Sequence, residues 1–273
     1  LRRDDPIGIF DSGVGGLTVT SEVMKRLPGE DIIYFGDTGR YPYGSRSPEI
    51  VGKFALQDVG FLSGLGVKAV VVACNTASSV ALDKLREKFP LPIMGVIEPG
   101  AKAAVRATRN RILGVIGTRA TIKSGSYNRA IGRLNPGLRV IAKPCPLFVA
   151  LAEEGWTQGK AVRLVAHEYL DPLKKEGVDT LVLGCTHYPL LRGVIGEVMG
   201  DEVKLVDSAK ETSKELKSLL EGEELLNPRK EGGNYRFLVT DNPDDFLEVG
   251  GNFLKGRLIG AELVEIERLK GED

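Results

Sequence analysis

Apolar residues in this chain fall into two alternating patterns. Short aliphatic runs occur at residues 6–10, 31–35, 68–73, 91–97, 111–116, 138–142, 180–184 and 203–206. Runs rich in Val, Ile and Leu at this length predict strands of a parallel sheet, buried on both faces. Between them, apolar positions recur every three to four residues, as at Leu17, Val19, Val23, Met24 and Leu27. That spacing predicts amphipathic helices, over 17–27, 48–65, 78–89, from the turn at 117–121 to about 134, and over 157–175, 190–199 and 208–220. The 91–97 strand is expected to close in a turn at Glu98-Pro99-Gly100, and 148–155 reads as a loop. In the tail, a charged loop at 221–234 precedes a strand at 235–240, a helix at 244–254 and a last strand at 258–266.

Strand alternating with helix predicts an α/β protein with helices on the faces of parallel sheets. The order of elements over 111–206 repeats, coarsely, the order over 6–97. We therefore expect two similar three-layer domains, pseudo-symmetric, with largely parallel sheets and an active site at their junction. The first is expected to be discontinuous, residues 1–97 with 208–273, and the second to span 98–207. Ligands of open α/β sheets bind outside the carboxyl ends of the strands.

Two strands end alike. Val70-Val71-Val72-Ala73 leads to Cys74-Asn75-Thr76, and Leu181-Val182-Leu183-Gly184 leads to Cys185-Thr186-His187. Each cysteine is thus placed between a strand and a helix, among hydrogen-bond donors that favour a thiolate. Two such sulfurs flanking one small substrate suit a reaction that removes a proton from one side of a carbon and returns one on the other. The bland alternative is packing, the usual fate of a free cysteine. Cys145, set between two prolines, reads that way.

Composition narrows the classes. With 37 Lys+Arg against 37 Asp+Glu in 273 residues, no overall field argues for nucleic acid or an anionic membrane surface. Three scattered cysteines make a disulfide framework unlikely to explain the chain and favour a cytoplasmic setting. No signal-peptide core or membrane-length apolar run is expected.

Other groups are candidates by position. The turn Asp11-Ser12-Gly13-Val14-Gly15-Gly16 follows the first strand; it reads either as a plain βα turn or as a cradle for an anionic group. It lacks the G-x-G-x-x-G dinucleotide fingerprint. The loop at 36–45, dense in Gly, Pro and aromatic residues, is expected to be rigid, with Tyr43 as an amphipathic wall. Asp11 is a possible proton partner or a helix cap. Glu153 and Glu154 are adjacent candidates that sequence does not separate. Of two histidines, His187 is placed to polarise Cys185, while His167 falls on an amphipathic helix surface. No metal-ligand spacing occurs, so no metal is expected.

These motifs resemble glutamate racemases: D-S-G-V-G-G at 11–16, G-D-T-G-R-Y-P-Y-G at 36–44, A-C-N-T-A-S at 73–78, V-I-E-P-G at 96–100 and G-C-T-H-Y-P-L-L at 184–191. Gly39 departs from the family, which more often has Ala there. The resemblance implies a cofactor-free enzyme that interconverts L- and D-glutamate, supplies the D-isomer for peptidoglycan, and forms a homodimer. It implies that Cys74 takes the α-proton of D-glutamate, assisted by Asp11, and Cys185 that of L-glutamate, assisted by His187 with Glu154 as a further acid. Asp11, Ser12, Pro42, Tyr43, Gly44, Ser45, Asn75, Thr76, Thr118, Thr121, Thr186 and His187 would hold the substrate. The alternatives are an aspartate or hydantoin racemase of the same superfamily and a non-catalytic protein that binds an acidic amino acid.

Overall fold

A computed structural model describes residues 1–254 and 256–269, so the expected end of the first domain at 273 lies outside the described residues. The chain opens with β1 (Ile7–Asp11), α1 (Leu17–Arg26), β2 (Ile32–Gly36), α2 (Pro48–Gly64) and β3 (Ala69–Val72). Next come α3 (Asn75–Val80), α4 (Leu82–Lys88), β4 (Ile93–Gly95) and α5 (Ile97–Ala107). The second set is β5 (Ile112–Gly117), α6 (Arg119–Ser124), α7 (Ser126–Leu134), β6 (Arg139–Pro144), α8 (Leu147–Glu153), α9 (Lys160–Lys175), β7 (Thr180–Gly184), α10 (Arg192–Met199) and β8 (Lys204–Asp207). The tail adds α11 (Ser208–Gly222), β9 (Tyr235–Val239), α12 (Pro243–Leu254) and β10 (Glu262–Leu263).

Two sheets result, each wholly parallel. One has the order β10-β9-β2-β1-β3-β4, the other β6-β5-β7-β8. The orders 2-1-3-4 and 6-5-7-8 are the same topology, so the fold is two pseudo-symmetric α/β domains. Both sheets are covered on both faces, as the unbroken apolar runs require. Val71 packs with Ile7, Ile9 and α1, whereas Val70 and Val72 pack with Phe10 and α2. In the second sheet Leu181 and Leu183 face α9 and α10, and Val182 faces α5 and α7.

The chain crosses between the domains on two helices. Ile97, Ala101 and Ala104 of α5 pack in the core of the second sheet. Ala209, Leu216 and Leu220 of α11 pack in that of the first.

Several elements differ from expectation. Glu98-Pro99-Gly100 is not a turn but the first part of α5, because a proline in the first helical turn forfeits an N–H that has no intrahelical acceptor anyway. The expected loop at 148–155 is mostly α8, whose Phe148 and Ala152 are buried. The expected helix to residue 134 is broken at Gly125, which adopts φ +66° and separates α6 from α7. The last strand shrinks to Glu262–Leu263, exposed on the sheet edge beside β9.

Opposite the cysteine ends, Lys68 is fully buried and donates from Nζ to Glu30 Oε2 (2.5 Å) and to the Arg3 carbonyl (2.6 Å). Glu30 Oε1 accepts the Asn227 N–H at 2.8 Å, which ties the C-terminal segment to the first domain. Removing the lysine strands a buried carboxylate. Lys68→Ala should therefore lower stability by about 3–5 kcal/mol in urea unfolding; a loss below about 1 kcal/mol would show that the pair is not needed to hold this end.

Candidate active site

Both cysteine-bearing strands end at one cavity of about 320 Å³ between the domains, and Cys74 and Cys185 both line it. Both are buried free thiols. Cys74 is the residue just before α3, and its sulfur accepts the Ala77 N–H at 3.5 Å. The Cys74 thiol lies 3.5 Å from Ser12 Oγ. Cys185 follows β7, with its sulfur 3.7 Å from His187 Nδ1.

The domains meet this closely because glycine stands at the contact. A Cβ on Gly15 would lie 2.4 Å from both Thr186 Oγ1 and His187 Cε1. One on Gly44 would lie 2.9 Å from Thr118 Cβ. Gly15 of the 11–16 turn thus admits the second domain, while the Gly13 N–H is taken by Asp11 Oδ2 at 3.0 Å. Thr18 Oγ1 donates to the Thr186 carbonyl across the junction at 3.0 Å.

The two sulfurs sit in opposite electrostatic settings. Burial, reinforced by the Asp11 carboxylate, pushes Cys74 up to about 12. Asp11 is itself raised by burial, against the pull of His187 and the Gly13 N–H. At His187 burial opposes the charge, yet the Cys185 sulfur and the Glu153 carboxylate outweigh it and lift the imidazole to about 10. Glu153 Oε1 lies 2.9 Å from His187 Nε2. Burial beside Asp11 thus favours a neutral thiol at Cys74, while the raised imidazole of His187 stands beside Cys185.

Ser12, Pro42, Gly44 and Ser45 line the cavity from the first domain with Asn75 and Thr76, and Thr118, Thr186 and His187 from the second. Tyr43 lines the cavity too, but its phenol turns into the core and bonds to both Asp37 and Asp58. Two expected contacts stand outside the lining. Thr121 stands behind the lining, within 3.3 Å of Thr76 Oγ1 and 3.0 Å of Thr118 Oγ1. Asp11 is fully buried beneath the cavity rather than in its wall.

The acid beside His187 is Glu153, not Glu154. Because 148–155 is helical to Glu153, the two side chains diverge by a helical step, and Glu154 lies on a neighbouring acidic cleft. Tyr41 and Arg119 also line the cavity and were not singled out from sequence. The Tyr41 ring stands 6.5 Å from the His187 ring, and that of Phe253 on α12 meets His187 edge-on at 5.9 Å. Both tyrosines of Y-P-Y line the cavity, but the Tyr43 phenol is taken by Asp37 and Asp58. His167 is exposed beside Asp171, and Cys145 is buried in the second core. Among the described residues no group of three acidic, His or Cys side chains is placed to hold a metal, and no helix is long and apolar enough to cross a membrane.

A family model described as Asp/Glu/hydantoin racemase matches residues 15–216. The chain belongs to the Asp/Glu/hydantoin racemase family. A glutamate racemase of Geobacter metallireducens is 54% identical over 264 residues, covering 97% of this chain and 98% of the relative. Among solved structures, a glutamate racemase of Francisella tularensis in complex with D-glutamate is 43% identical with a TM-score of 0.91, covering 97% of this chain and 99% of that one. One from Thermus thermophilus, in complex with β-chloro-D-alanine, is 46% identical with a TM-score of 0.90 and coverage of 98% and 100%.

In this family member the Cys185 sulfur and, after it, Glu153 hold the charge on His187. A folded value above the ordinary 6.5 means that the imidazolium's contribution to stability is complete below pH 6.5 and is lost as pH rises through about 10. Glu153→Gln should bring the His187 midpoint, followed by proton NMR, down towards the ordinary histidine range, and the loss of stability should set in at lower pH. Glu154→Gln should leave the midpoint in place. The reverse pattern would return the role to Glu154.

Proposed function

We propose that the chain is a cofactor-independent glutamate racemase that inverts the α-carbon with Cys74 and Cys185 as the two bases. The observation that carries this reading is that the two sulfurs, from two sheets, line one cavity between the domains. A two-base inversion needs one sulfur unprotonated to accept a proton and the other protonated to deliver one. Cys185, beside His187, takes the α-proton of L-glutamate while Cys74 delivers one to the opposite face, and the two exchange roles for the D-isomer.

Regenerating the Cys74 thiolate against burial and Asp11 is the harder half. The substrate ammonium, drawn towards the Asp11 side, offsets that negative field. The α-proton is a very weak acid, so the charge that develops on carbon and carboxylate needs preorganised donors and little water. Ser45, Asn75, Thr76, Thr118 and Thr186 supply polar groups around the cavity. Asn75 is the most telling, because its buried Nδ2 has no protein partner. The likeness to relatives that act on glutamate favours that substrate over aspartate, and a cavity of about 320 Å³ accommodates a small amino acid. The resemblance also supports a homodimer, which sedimentation equilibrium distinguishes from a monomer.

In deuterated water, L-glutamate should lose its α-proton signal while its optical rotation decays. Cys74→Ser and Cys185→Ser should each reduce turnover at least about a hundredfold while unfolding near the wild-type temperature, as expected when a general base is lost. Near wild-type racemisation by either variant in both directions would rule out the two-sulfur reaction. Faster turnover of aspartate than glutamate would favour the neighbouring specificity.

A further inference from the structure

Tyr127 lies on α7 in the second domain, where the two halves of the cavity meet, and the cysteine chemistry does not use it. It is 2% exposed, and its phenol donates to Asn75 Oδ1 on α3 of the first domain at 2.8 Å. The phenol gives its one proton to Asn75, which must therefore present its carbonyl oxygen to it. The Asn75 NH2 group is thereby turned away from Tyr127, where it is buried without a protein acceptor. A buried donor left unpaired is costly, so the fold holds it for something that enters the cavity.

The ring is fitted as closely as the hydroxyl. A Cβ on Gly100 would stand 3.3 Å from Tyr127 Cε1, and one on Gly184 3.0 Å from Cε2. Gly184 immediately precedes Cys185, and Asn75 immediately follows Cys74. One aromatic side chain thus touches the neighbours of both sulfurs, one from each sheet.

We propose that Tyr127 is a positioning residue: its phenol fixes the Asn75 amide with the NH2 group towards a substrate carboxylate oxygen, and its ring sets the register between the two cysteine strand ends. This role rests on the racemase reading above. It extends that reading to a residue outside the cavity lining, on the far side of Asn75 from the ligand.

Tyr127→Phe keeps the ring and removes the hydroxyl. KM for both glutamate enantiomers should rise about five- to tenfold, with kcat changed less than about twofold, as for one lost hydrogen bond in binding. In an Asn75→Ala background the same substitution should add nothing, since the amide it orients is gone. An unchanged KM in Tyr127→Phe, or a full further loss on top of Asn75→Ala, would overturn the role. Should Tyr127→Phe fail to fold, Asn75→Asp decides in the same assay, since it keeps an acceptor for the phenol and removes the NH2 donor: a raised KM supports the role and an unchanged one overturns it. The wild-type protein separates the two levels: no racemisation by it would defeat the racemase reading, whereas an active wild type with unaltered Tyr127→Phe kinetics defeats the positioning role alone.

Discussion

The close approach of two sheets at their carboxyl ends is the constraint on which this molecule depends. Gly15 and Gly44 have no Cβ where one would strike Thr186, His187 or Thr118, and the domains use that space. A single methyl at Gly15 would press on the histidine beside Cys185. The cavity and the pairing of two sulfurs both follow from that contact. Neither is a property of one domain alone.

Within the cavity, charge is divided unequally although the fold is nearly symmetric. Cys74 faces a buried carboxylate, Asp11, whereas Cys185 faces an imidazole whose charge is favoured by the sulfur itself and by Glu153. Equal surroundings would favour two thiols or two thiolates, and neither can pass a proton through a carbon from one face to the other. The asymmetry is supported from beyond the lining. Phe253, on a helix of the C-terminal segment, packs edge-on against His187, so the end of the chain reaches the chemistry of the other domain.

Much of this was legible in the sequence because both signals are local. Unbroken Val and Leu runs identify strands covered on both faces, and a cysteine after each run is carried to the ligand end of its sheet. What failed was also local, in the opposite sense. Pro99 looks like a breaker but sits in the first turn of α5, where its missing N–H does no harm. Glu153 and Glu154 are indistinguishable until α8 gives them different directions. Tyr41 and Tyr43 flank one proline, and only the buried Asp37 and Asp58 decide that Tyr43 turns inward. Asn75 and Tyr127 are far apart in the chain, so their bond has no sequence signature. The long-range partner fixes the direction of a polar side chain, and its chemistry alone does not.

A crystal structure with D-glutamate bound measures the arrangement most directly. The two-sulfur inversion requires the Cys74 and Cys185 sulfurs on opposite faces of the ligand's Cα, each at about 3–3.5 Å, the separation of a reacting pair. A ligand seated outside this cavity, or both sulfurs on one face of the carbon, would contradict it.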